Sequence, residues 1–310
     1  MNKVRGFGKR AAAAALAAAL AGGCGTLDDI LLRPDAVVRR TPAEFGYEYE
    51  SKRLDGANGQ RVAIWHVAGR GERRGIVVVV PGLDANKSRY VEAVPIVCED
   101  GWDAILMDYE GFGDSTGRPT LEGLIRSTRT VFEHALAEHA VVVGYGASMG
   151  GPVLIRVAAD LDLSACIFES GADLWREATL VAEQRMLLAP PFSYGLQVLS
   201  AALIPADYDS QYWIARVAEP KLFVHSPDDL VTPFAGAWDL YRLAPPPKHF
   251  FVTQGGHAAQ PFMDPDLYRS VVLGWLHGAL GIDPIDNPAF RAAMAEALER
   301  LMDLGIIPRN

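Results

Sequence analysis

The chain is 310 residues long, half of them apolar, and it carries six tryptophans. That length and composition suit one large domain with a substantial buried core and exclude disorder as the general state. A formal net charge of −9 leaves no basic stripe with which to neutralise phosphates, which speaks against a nucleic-acid partner.

Residues 1–23 stand apart from the rest. Lys3, Arg5, Lys9 and Arg10 precede an apolar run from Ala11 to Ala21, too short to span a bilayer but suited to the core of a signal peptide. The run ends in Leu20-Ala21-Gly22-Gly23-Cys24, which resembles the lipobox of bacterial lipoproteins, with Ala21 where Leu is more usual. The resemblance implies cleavage before Cys24, a lipid on that cysteine, and an exported protein held on a membrane. Gly25 is compatible with outer-membrane sorting. The competing readings are an ordinary secretory signal or an uncleaved helix. Loss of the leader removes four basic residues and no acidic ones, taking the formal charge from −9 to −13. Attachment would then depend on acyl chains and not on charge. Residues 24–44, with Pro34, Pro42 and scattered charges, read as a tether, and the folded domain runs over 45–310. Cys98 and Cys166, both in apolar surroundings, read as buried free thiols.

Strands and helices alternate from about Gly46. Gly46–Glu50 and Arg61–Val67 read as antiparallel strands around the turn signal Asp55-Gly56-Ala57-Asn58-Gly59. Ile76–Val80 is a β-branched run of the kind buried on both faces. Next come a helix over Tyr90–Asp100, a strand over Ala104–Tyr109, a helix over Leu121–Glu138 and a strand over Ala140–Val143. A helix over Met149–Ala159 leads to the strand Ala165–Phe168. Residues 171–216 then interrupt the alternation with an apolar, aromatic, proline-punctuated stretch that reads as an inserted helical cap. The alternation resumes with Lys221–His225, the helix Phe234–Leu243, the strand His249–Val252 and the helix Pro265–Leu280. A last amphipathic helix covers Pro288–Leu304. This order predicts an α/β fold with a mostly parallel, eight-stranded sheet covered on both faces, and chemistry beyond the carboxyl ends of its strands.

The strand at 140–143 runs into Gly144-Tyr145-Gly146-Ala147-Ser148-Met149-Gly150-Gly151 and then into a helix. Gly146, Ser148 and Gly150 form G-x-S-x-G in the strand–turn–helix setting that gives the motif its meaning. A serine on so sharp a turn needs small neighbours two places away on either side, and the helix N-terminus behind it favours developing negative charge. A serine hydroxyl also needs a base. Of the seven histidines, His257 follows a late strand in a glycine-flanked loop, Gln254-Gly255-Gly256-His257. His134 and His139 do not share a helix face and read as solvated, while His225 reads as structural. His66, His249 and His277 have no companions at metal-ligand spacing, so neither a metal nor a cofactor is implied. The carboxylate that would hold the base in one tautomer has candidates in Asp228 and Asp229, after the strand Lys221–His225, with Glu169 a more distant one.

His225-Ser226-Pro227-Asp228-Asp229-Leu230-Val231-Thr232-Pro233 resembles the α/β-hydrolase superfamily, in its serine aminopeptidase-like and monoglyceride-lipase-like group, where His-Gly-x-x-Asp-x-x-x-Pro is frequent. Laid on that pattern, Asp229 is the acid, Pro233 is the proline, and Ser226 stands in place of glycine. The resemblance extends from about Gly75 to Leu280, in the superfamily order Ser148, Asp229, His257. It includes Tyr109-Glu110-Gly111-Phe112-Gly113-Asp114-Ser115, similar to the family's Arg-Gly-x-Gly-x-Ser loop with Glu110 in place of Arg, which reads as structural. It also implies an oxyanion hole made by the backbone N–H groups of Met149 and Leu83, with Pro81 where His is common. The activity implied is ester hydrolysis through an acyl-serine on a small-molecule substrate. Within the cap, the apolar segments Met186–Tyr194 and Leu196–Ile204 either simply cover the sheet or roof the pocket above Ser148, and in the second case they predict an apolar acyl group. The alternatives are an acyltransferase or peptidase using the same three residues, or a non-catalytic lipoprotein scaffold.

Overall fold

Five consecutive β-branched residues, Ile76 to Val80, cannot be exposed on either side without cost, and all five are buried in β3 (Gly75–Val80). Around it lie β1 (Tyr49–Asp55), β2 (Arg61–Val67), β4 (Trp102–Met107), β5 (Val142–Ala147), β6 (Ala165–Glu169), β7 (Lys221–His225) and β8 (Lys248–Val252). They form one eight-stranded sheet in the order β1-β2-β4-β3-β5-β6-β7-β8, in a computed structural model that describes residues 27–171, 173, 209–258, 261, 264–282 and 288–307. The β1–β2 and β2–β4 pairs are antiparallel and the others parallel. This is the sheet of the α/β-hydrolase fold.

Helices α3 (Leu121–Glu138) and α4 (Gly150–Ala158) pack together on one face of the sheet, with the short α5 (Ser210–Ile214) and α6 (Phe234–Leu243) continuing that layer. The other face carries α2 (Ala93–Cys98), α7 (Pro265–Ala279) and α8 (Pro288–Asp303). Thr120 starts α3 by accepting the Gly123 amide at 2.9 Å, and Asp264 starts α7 by accepting the Leu267 amide at 3.0 Å.

Several boundaries differ from the sequence reading. The first strand begins at Tyr49 and runs through Ser51-Lys52-Arg53 to Asp55, because an edge strand keeps one face in water and tolerates charge there. The strand expected at 140–143 begins at Val142 and continues through Gly146 to Ala147, since β3 and β6 pair with both of its sides. The helix expected over Tyr90–Asp100 is reduced to α2, preceded by a 3-10 turn at Lys87–Tyr90.

The tether is a clearer correction. From Leu27 onward the segment lies on the domain: it opens as α1 (Leu27–Leu31), and Leu31 and Leu32 are buried in the core. The Asn86 side chain donates to the carbonyls of Asp35 and Val37 at 3.0 and 2.9 Å, and the Asp28 carboxylate accepts the Leu121 amide at 2.9 Å. The apolar residues among the charges are what bind this strap down. The leader with Cys24 lies outside the described residues, as do residues 172 and 174–208 of the cap expected at 171–216, whose end at 209–216 includes α5.

The loop Tyr109–Ser115 is built as a structural turn. Glu110 holds Arg126 of α3 with both oxygens at 2.9 and 2.8 Å, and Ser115 donates to the Asp108 carbonyl at 2.9 Å. Lys87 is fully buried beneath it, its ammonium shared between Asp108 and Asp114 and lying 4.7 Å from the centre of the Trp65 ring. Cys98 and Cys166 are buried free thiols, and burial pushes Cys98 up to about 12.

Candidate active site

Ser148 occupies the turn between β5 and α4 with φ of 51°, left-handed backbone that a non-glycine residue adopts only when the surroundings impose it. Its amide donates to the Glu169 carbonyl at 2.8 Å and its carbonyl accepts the Gly151 amide at 2.9 Å. The glycines of the motif are sterically required. A Cβ on Gly146 would lie 2.5 Å from the Gly150 carbonyl oxygen, and one on Gly150 would lie 2.2 Å from that of Val80. The clash behind the second glycine is therefore with the end of β3, a neighbouring strand.

His257, in the loop after β8, reaches across three strand ends. Its Nε2 lies 2.8 Å from Ser148 Oγ and its Nδ1 lies 2.8 Å from Asp229 Oδ2. Asp229 Oδ1 accepts the amides of Val231 and Thr232, each at 2.9 Å. Burial opposes ionisation of Asp229, but the His257 contact and the Thr232 amide outweigh it and hold the carboxyl below the usual aspartate range. His225 sits 3.6 Å from the same carboxylate, yet it bonds to the Thr232 carbonyl at 2.9 Å, and burial lowers its pKa towards the neutral form. The structure thus brings Ser148, His257 and Asp229 together.

The other two acids lie elsewhere. Asp228 points outward to Arg300 of α8, 3.3 Å away, while its amide donates to Ser226 Oγ at 3.1 Å. Glu169 ends β6 in the cavity wall, where one oxygen accepts the hydroxyls of Tyr145 and, at 2.6 Å, Tyr268. Its other oxygen has no hydrogen-bond partner among the described residues, and burial pushes the carboxyl above its usual range.

Leu83 follows β3 and Met149 follows Ser148, and neither amide is taken by an acceptor among the described residues. Gly82 passes close enough that a Cβ there would sit 3.2 Å from Ser148 Cβ, which brings the Leu83 loop against the nucleophile candidate. The Gly82 amide is fixed by donating to Tyr90 Oη at 2.6 Å.

A cavity of about 580 Å³ opens at Ser148 and His257. It runs between the sheet and the α2–α7 layer, with Val77 and Val79 of β3, Ile96 and Val97 of α2, and Val272 and Leu276 of α7 in its walls. Arg39 and Arg40 of the N-terminal strap also line it. These contributors escape a reading of sequence, which expects the pocket beneath Met186–Tyr194 and Leu196–Ile204. Both of those segments lie outside the described residues. The alternation of β3 is the available signal, since Val77 and Val79 necessarily share a face.

Histidine placement also differs from expectation. His139 is the residue after the last turn of α3, in extended backbone, and is half-buried against the ring of His66. His66, expected without companions, is grouped with Asp103 and His139, their candidate ligand atoms within 4.8 Å of one another. No spacing rule finds such a group, because each member comes from a different element. His277 pairs with Asp100 at 2.6 Å, and His249 accepts the Trp275 indole N–H at 3.2 Å.

Residues 71–187 match the family model of serine aminopeptidase, S33. Protein YfhR of Salmonella typhimurium is 28% identical over 251 residues, which span 77% of this chain and 84% of YfhR. Lysophosphatidylserine lipase ABHD12 of Macaca fascicularis is 26% identical over 174 residues, 52% of this chain and 42% of that protein. Among solved structures, the Pyrococcus furiosus esterase Pf2001 superposes with a TM-score of 0.67 at 15% identity, covering 81% of this chain and 98% of the esterase. That likeness speaks for the fold alone. The family model is matched across the strand–turn–helix at Ser148 and the sheet is shared with these neighbours, so the chain has the α/β-hydrolase fold and over residues 71–187 is similar to the serine aminopeptidase family.

Proposed function

We propose that this hydrolase is a serine esterase that works through an acyl-serine intermediate, with Ser148 as nucleophile, His257 as general base and Asp229 as the group that orients the imidazole. The observation that carries the reading is the continuous chain of two 2.8 Å contacts through His257, ending at a strained serine that opens on a cavity. On this reading His257 takes the Ser148 proton as the hydroxyl oxygen attacks the ester carbonyl, and later gives it to the leaving alcohol. Water, activated by the same imidazole, releases the acid. The amides of Met149 and Leu83 would hold the developing oxyanion, aided by the N-terminus of α4. The reaction so written uses no cofactor.

An apolar acyl group is supported by the walls of the cavity, whose volume falls within the range usual for small-molecule sites. The lipase named among the relatives agrees with a lipid-like substrate. We also propose that Cys24 carries a lipid and holds the enzyme on a membrane outside the cytoplasm.

The test is labelling by a fluorophosphonate probe together with turnover of nitrophenyl esters. Wild type should be labelled, and Ser148→Ala should lose the label and several orders of magnitude in turnover. Labelling that persists in the variant, at a different serine, would overturn the assignment.

A further inference from the structure

At the far end of the sheet from Ser148, three side chains converge from three elements. His66 projects from β2, Asp103 from the start of β4, and His139 from the residue that ends α3. The β2–β4 register opposes Val67 to Ala104, which places His66 and Asp103 as diagonal neighbours across the pair. Asp103 also registers with Ile76, and Ile76 with Val142, six residues before Ser148. At the rise of an extended strand, the group therefore lies about 20 Å from the proposed nucleophile.

Two features of this group are unusual for a merely structural one. Asp103 is completely buried and its Oδ2 has no hydrogen-bond partner among the described residues, although Oδ1 accepts the Gly69 amide at 2.8 Å. His66 Nε2 is likewise buried without a hydrogen bond among the described residues, and it faces that oxygen across 3.4 Å. Buried polar atoms without hydrogen bonds are costly, and two that face each other can both be satisfied by one ion bound to them. Donor atoms around a tetrahedral ion with bonds of about 2.0–2.2 Å stand roughly 3.3–3.5 Å apart, close to the His66–Asp103 separation. His139 stands just past the end of α3, with its candidate ligand atom within 4.8 Å of those of His66 and Asp103. A competing charge is the Arg73 guanidinium, 3.5 Å from Asp103 Oδ2 on a side chain that is 68% exposed.

We propose that His66, Asp103 and His139 form a binding site for a divalent transition-metal ion of the zinc type. Two imidazoles and one carboxylate are a donor set for such ions, in contrast to the all-oxygen sets of calcium and magnesium. Gly69 orients the carboxylate from behind through its amide. Solvent completes the coordination on the exposed side. The ion clamps the end of α3 to the antiparallel β2–β4 pair, and its role is to stabilise the fold, with no part in ester cleavage.

The test uses untagged, EDTA-dialysed protein carrying Ser148→Ala as well as wild type, so that failure of the proposed esterase leaves it readable. Co²⁺ should bind with a stoichiometry of one and develop visible absorption bands of low-coordinate geometry, and Zn²⁺ should displace it and raise Tm. His139→Gln should fold normally, lose the bands and weaken Zn²⁺ binding at least about tenfold. His66→Gln should do the same. Arg73→Gln leaves every ligand in place and should tighten binding several-fold by removing the competing cation. Absence of binding at millimolar Zn²⁺ would overturn the proposal. So would binding that His66→Gln and His139→Gln leave unchanged, since the ion would then sit elsewhere.

Discussion

One oxygen of Asp229 lies 2.8 Å from His257 Nδ1, while the other is held by the amides of Val231 and Thr232. The carboxylate is thereby fixed by its own loop and presents a single acceptor to the imidazole. Asp229→Asn keeps the shape but turns a donor towards His257, selecting the wrong tautomer. It should lower kcat by about 10³–10⁴. Asp228 spends its charge on Arg300 at the surface, so Asp228→Asn should cost less than about 1 kcal/mol of stability and leave turnover near wild type. Kinetics of the two variants on one ester decide the matter, and a reversal of the two effects would assign the acid to Asp228.

The cavity between β3, α2 and α7 predicts a dependence on acyl length. Each methylene buried there is worth up to about 0.8 kcal/mol, or roughly fourfold in kcat/KM. From acetyl to medium-chain nitrophenyl esters kcat/KM should therefore rise. Ile96→Trp and Val272→Phe both narrow the cavity, and each should retain acetyl-ester turnover while flattening the rise. A wild-type profile that falls beyond acetyl, or a rise that both variants preserve, would remove the acyl chain from this cavity.

Glu169 predicts a pH effect on stability. Burial raises its pKa above the usual 4.5, with the Tyr145 and Tyr268 hydroxyls offsetting part of that rise. A raised folded-state value means that the neutral form's contribution to stability is fully present below the unfolded value. That contribution is lost as pH rises through the folded one. Glu169→Gln is neutral throughout and escapes this loss. Its Tm relative to wild type should shift upward between pH 4.5 and pH 8, by about 2–4 °C for each kcal/mol involved. Thermal melts across that interval at constant ionic strength check this. A difference that is independent of pH would show that Glu169 does not titrate as its burial requires.

The Cys24 proposal predicts where the protein is found. Wild type should fractionate with membranes and partition into detergent, and Cys24→Ser should remain unprocessed or lose its lipid. Mature wild-type protein recovered free in solution would reduce Leu20-Ala21-Gly22-Gly23-Cys24 to a coincidence of composition.

The parts of this protein that are legible in its sequence are those written into short stretches of chain. The burial of Ile76–Val80, the periodicity of Leu121–Glu138 and the tight turn at Gly146-Ser148-Gly150 each follow from neighbours a few residues apart. Lys221–His225 and Phe234–Leu243 are likewise recovered residue for residue. The order of such segments is enough to imply the sheet. Only the tertiary structure decides which distant side chains meet. Asp228 and Asp229 are adjacent and chemically identical, and their surroundings differ because one faces Arg300 and the other His257. The strap from Leu27 looks like a tether until Leu31 and Leu32 are seen in the core. Val77, Ile96 and Val272 become one cavity wall, and His66, Asp103 and His139 one cluster, only when sheet and helices are stacked. Local pattern reports which face of an element is buried, because the periods of strand and helix impose it. It carries no record of the partner across the gap, which is set by packing between elements far apart in the chain.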